Sequence, residues 1–136
     1  MVATHVPDGG RFDAALVFDR LVEAADTLAR VKVPDIQRNV TRWPDVVHAA
    51  AEATAFNRAP LRRGPASPEA ISRMDEALPW LGWLARDVQR ILWSRVEGLS
   101  WRRIAAFAGQ APNTCRARAR TALVEIADRL NRGERP

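Results

Sequence analysis

The chain has 136 residues, 47% of them hydrophobic, enough for one ordinary domain with a real core. Cys115 is the only cysteine, which excludes an internal disulfide and a cysteine-based zinc cluster, and no apolar stretch approaches membrane-spanning length. The net charge of +5 is uneven: residues 1–85 hold ten basic and eleven acidic side chains, residues 86–136 eleven basic and five acidic.

Ala, Leu and Arg dominate while β-branched and aromatic residues are sparse, which favours an all-α, multi-helix domain. Residues 1–10 read as a flexible arm. The opening "MVATHVPDGG" lacks the basic start and apolar run of a signal peptide, so a cytoplasmic location is expected. Residues 11–66 are expected to form an N-terminal helical lobe. Within it, Phe12, Ala15, Leu16, Leu21, Ala24, Ala25 and Leu28 recur at helical spacing and predict a helix from Phe12 to Arg30. Pro34 and Pro44 interrupt the chain, and Pro44 suits the first position of a second helix ending near Asn57. The segment "RAPLRRGPASP", Arg58 to Pro68, concentrates proline and glycine and reads as an exposed loop.

Residues 67–136 are expected to combine helical support with a DNA-binding motif. Ser67 as N-cap, Pro68 at the first helical position and Glu69 beside the positive helix end mark a helix start. Pro79 predicts a kink or a restart before "WLGWLARD". Trp80, Trp83, Trp93 and Trp101 fall at intervals that suggest an aromatic seam between neighbouring helices. An amphipathic helix from Asp87 to Val96 would bury Val88, Ile91, Leu92 and Val96 and end at Gly98.

Ser100 then caps a short helix, 101–108, with Trp101, Ile104, Ala105 and Ala108 inward and Gly109 as its stop. After the corner "GQA", Pro112 opens a longer helix, 112–130, whose inward positions are Cys115, Ala119, Ala122, Ile126 and Leu130. Short helix, glycine-containing corner and long basic helix together describe a helix-turn-helix. Between Gly98 and Val124 there are five arginines and no acid, the balance expected of a polyanion-binding face.

"RARAR", Arg116 to Arg120, looks like strand alternation until it is wound at about 100° per residue. Arg116 and Arg120 then lie within about 40° of each other, and Arg118 lies nearly opposite Arg116. Asn113, Thr114, Arg116, Ala117 and Arg120 are the candidates for base edges in the major groove. Ser100, Arg102 and Arg103 stand where the preceding helix would cross the DNA backbone and are phosphate candidates. Arg118 reaches sideways, to a phosphate or to an acidic neighbour. No carboxylate pair sits by a histidine or cysteine, His5 and His48 are isolated, and no glycine-rich phosphate loop is present, so no enzymatic activity, metal or cofactor is expected. Cys115 reads as a small apolar filler.

"LSWRRIAAFAGQAPNTCRARARTAL" resembles the helix-turn-helix of sigma-factor region four, where a "G-L-S-x-x-E-I-A" helix precedes a recognition helix. Arg103 stands where an acid is usual in that family, and no promoter-melting region is recognisable. With "RLVEAADTLARV", "WPDVV" and "SPEAISRMDEALPWLGWL", the chain is similar over nearly its full length to a phage-associated alphaproteobacterial domain family and to the DNA-binding module of gene transfer agent activators. That resemblance implies a nucleoid-associated transcription activator of a prophage-like gene cluster. It would bind double-stranded DNA as a monomer or dimer and act with RNA polymerase. The alternative is a phage small terminase subunit, which also carries a helix-turn-helix but assembles into rings. A third possibility is an interaction module that grips polymerase and turns its basic face to an acidic protein surface.

Overall fold

The computed structural model describes residues 11–31, 43–48 and 65–136, and these are helical with no strand among them. Helix α1 spans Ala14–Arg30, α2 Pro68–Ala77, a 3-10 helix Leu78–Trp83, α3 Arg86–Val96, α4 Trp101–Ala108 and α5 Pro112–Asn131. The expected arm at residues 1–10, the expected second helix beyond His48 and the arginines of the loop after it lie outside the described residues. At residues 45–48 the chain is helical, with the Val47 and His48 amides donating to the Pro44 carbonyl, as a proline at a helix start allows.

Asp13, rather than Phe12, opens α1: its carboxylate accepts the Leu16 amide at 2.8 Å. The buried stripe of α1 is Val17, Arg20, Leu21, Ala24, Thr27 and Leu28. Ala15, expected inward, is exposed. Arg20 enters the stripe because α2 and the 3-10 helix offer it partners. Its Nη2 lies 2.6 Å from Glu76 and its guanidinium 5.4 Å from the Trp80 ring centroid.

Ser67 caps α2 and Pro68 starts it, as expected. At Pro79 there is no amide to continue the α-helical ladder, so α2 ends at Ala77 and the chain goes on as a 3-10 turn before α3 begins at Arg86. That turn buries Leu78, Pro79, Trp80 and Leu81. Among the described residues no tryptophan ring pairs with another, which corrects the expected aromatic seam. Trp80 meets Phe12 edge-on at 5.8 Å, Trp93 is buried, and half-buried Trp83 and Trp101 are covered by Arg129 and Arg95.

Helix α1 packs on α2 and α5, and one core runs from Val17 and Leu21 through Met74, Leu81 and Leu92 to Ile104, Cys115 and Ile126. Residues 11–31 therefore share their core with residues 67–136 instead of standing as a separate lobe. The two ends of the described chain are joined directly: the Asn131 carboxamide accepts the Phe12 amide at 2.7 Å and donates to the Phe12 carbonyl at 2.9 Å. Helix α4 packs on α3 and α5 of this frame.

Candidate nucleic-acid interface

The Ser100 hydroxyl accepts the Arg103 amide at 3.3 Å and so caps α4. The helix runs for eight residues and stops at Gly109, whose φ of +69° is left-handed. A Cβ there would meet no atom within 4 Å, so the glycine is required by its backbone angle and not by crowding. Residues 109–111 turn the corner, and Pro112 begins α5 with the Cys115 amide donating to the Ala111 carbonyl at 3.0 Å.

Ile104 of α4 and Cys115, Ala119, Ala122, Ile126 and Ala127 of α5 are buried. Leu130, expected in that row, is only half-buried, and Ala127 takes the inward place. Small side chains at Ala119 and Ala122 let α5 lie close to its support. Fully buried Cys115 is a packing atom of this interface, with its thiol turned away from solvent.

With the buried row of α5 inward, Asn113, Ala117, Arg120 and Val124 lie within about 50° of the opposite direction. All four are exposed, as are Thr114, Arg116 and Thr121 beside them. Every base-contact candidate from the sequence therefore sits on the open side of α5. Thr121 and Val124 belong to the same face, and the helical wheel of the sequence would have found them. Arg116 stands on one flank of this face and Arg118 on the other.

Electrostatically the two flanks differ. Arg116 and Arg120 make no ion pair among the described residues, nor do the exposed Arg102 and Arg103 of α4. Arg118 is committed: its Nη2 donates to the Asp87 carboxylate of α3 at 2.6 Å. That hydrogen bond, with the charge behind it, holds the Asp87 carboxyl below the usual carboxylate range, while the other carboxylate oxygen accepts the Val88 amide at 2.9 Å. Arg118 thus meets an acidic neighbour, as its sideways direction allows. The first turn of α5 has no side-chain cap and no acid, so its amides and its positive dipole end face outward beside Asn113.

Two further contacts stiffen the surface of α4. Arg90 of α3 lies 4.6 Å from the ring centroid of Phe107, which remains exposed. Arg95 lies 4.8 Å from the Trp101 ring and donates to the Leu99 carbonyl at 3.1 Å. Composition alone did not single out this pair, because Arg90 stands outside the basic run and Phe107 carries no charge. No group of histidine, cysteine and carboxylate side chains that could hold a metal ion occurs among the described residues. No described helix is long and apolar enough to cross a membrane.

Residues 28–126 match the model of a family described as a domain of unknown function (DUF6362). No curated protein and no solved structure matches the chain.

Proposed function

The chain belongs to the DUF6362 family, and we propose that it binds double-stranded DNA in a sequence-specific manner and activates transcription of a prophage-like gene cluster. The observation that carries the DNA-binding reading is the open face of α5. Arg116 and Arg120 stand there one turn apart, exposed and without an acidic partner among the described residues. An arginine so placed can meet the O6 and N7 atoms of a guanine bidentately, and Asn113 at the helix start can do the same for an adenine. Arg102 and Arg103, with the cap at Ser100, give α4 the charge to lie across a phosphate backbone.

The activating role rests on the resemblance to sigma-factor region four and to gene transfer agent activators. RNA polymerase is the partner that this resemblance implies. The protein has no catalytic role in this proposal.

Titration of labelled duplex DNA against the purified protein over a range of salt tests the binding step. Affinity should fall steeply as salt rises, since each neutralised phosphate contributes about 0.9 to the logarithmic slope. Genome-wide mapping of bound DNA, paired with transcript levels in a deletion strain, tests the activating role. Bound sites without any transcript change would overturn it, and a ring of many subunits in solution would favour the packaging alternative.

A further inference from the structure

The open face of α5 has an arginine on either flank, and the fold treats the two differently. Arg116 projects without an acidic partner among the described residues, whereas Arg118 is held at 2.6 Å by Asp87, which α3 brings beside it. Resting on the DNA-binding reading above, we propose that Asp87 is a specificity-determining residue. It occupies Arg118 so that this flank of the recognition helix does not grip phosphate.

The physical argument is a competition. A guanidinium can satisfy a carboxylate or a phosphate with the same pair of N–H donors, and Arg118 lies within reach of the groove wall once α5 faces the bases. Phosphate contacts add affinity for every sequence equally, while base contacts separate one sequence from another. A carboxylate that takes up Arg118 therefore lowers non-specific binding and leaves the contacts of Asn113, Arg116 and Arg120 intact. Asp87 stands in the first turn of α3, where Ala85 holds the N-cap position without a side-chain cap and the Asp87 carboxylate also accepts the adjacent Val88 amide.

Asp87→Asn tests the proposal, since it keeps the shape and the Val88 contact and removes the charge. The probe is a random-sequence duplex of about 30 base pairs, titrated by fluorescence anisotropy over a fourfold rise in salt. The variant should bind this duplex more tightly than wild type at low salt. Its logarithmic salt slope should be steeper by about 0.9, so it loses about 3.5-fold more affinity over that range. Arg118→Ala in the wild-type background should leave the slope unchanged, and the double variant D87N/R118A should return to it. The proposal is overturned by a wild-type slope in D87N, by a shallower slope in R118A, or by an excess slope that persists in the double variant. If neither wild type nor D87N binds duplex DNA at low salt, the DNA-binding reading itself falls and this proposal with it. Binding by wild type with no response to D87N removes the proposal alone.

Discussion

Arg20 and Arg73, between α1 and α2, and Arg129 and Arg132, at the C-terminal end of α5, each lie 2.6 to 3.3 Å from a carboxylate. Arg102, Arg103, Arg116 and Arg120, on the helix-turn-helix, meet no carboxylate among the described residues. Both groups belong to one chain rich in arginine, so composition does not separate them; their surroundings do. A guanidinium whose charge is met inside the fold adds to packing and little to the outer field. One left unmet projects its full charge, and four of them on two adjacent helices make a face suited to a polyanion. Arg118 is the exception, an arginine of the motif treated as the frame treats its own.

The sharpest way to break this comparison is to remove one arginine of the frame. Arg20→Ala deletes a side chain that is 5% exposed and packed on Trp80, and should cost about 2 to 4 kcal/mol of stability. Urea unfolding reads this loss, and the folded fraction should bind DNA as wild type does. A variant as stable as wild type would show that the two groups of arginines do not differ in kind.

On the other side of the comparison, Arg116→Ala and Arg120→Ala should leave the unfolding midpoint in place and reduce discrimination among DNA sequences. The loss is about 1 to 3 kcal/mol each where a bidentate guanine contact is made. Competition between selected and random duplexes measures it, and a uniform loss across sequences would move both residues to the phosphate set. Arg102→Ala should lower the salt slope by about one with little change in preference.

The smallest effect concerns Glu23, whose two carboxylate oxygens accept from Arg73, each at 2.8 Å. That pairing holds the Glu23 carboxyl below the ordinary glutamate range. Because the folded value is lowered, the stabilisation is complete above the unfolded pKa and disappears as pH falls through the folded one. The pair is partly exposed, so its contribution is about 0.5 to 1 kcal/mol. Arg73→Gln should therefore be less stable than wild type at neutral pH and equal to it once Glu23 is protonated. A gap that does not narrow as pH falls below the ordinary glutamate range would show that Arg73 acts through packing alone.

Local rules made much of α4 and α5 legible in advance. Ser100 before a short amphipathic run, glycine at 109 and proline at 112 each act on a neighbour within about four residues, so spacing in the chain is enough to place them. The inward row of Cys115, Ala119, Ala122 and Ile126 followed from the helical period for the same reason. Leu130 escaped it because α5 nears its end there, beside Gly133. The tryptophans were misleading: regular intervals suggested a seam, but side chains on separate helices meet according to packing, and arginine guanidiniums cover three of the four rings.

By itself, then, the sequence determined an all-helical chain, the position of its helix-turn-helix and the pair of arginines that face the same way on α5. Those are consequences of backbone angle, capping and a period of 3.6 residues, which operate along the chain. Tertiary structure alone decided which arginines keep their charge for the outside. Arg20 finds Glu76 across 56 positions, Arg118 finds Asp87 across 31, and Asn131 clasps Phe12 across 119. No local rule spans such distances, because the energy of a charge depends on what the fold sets beside it.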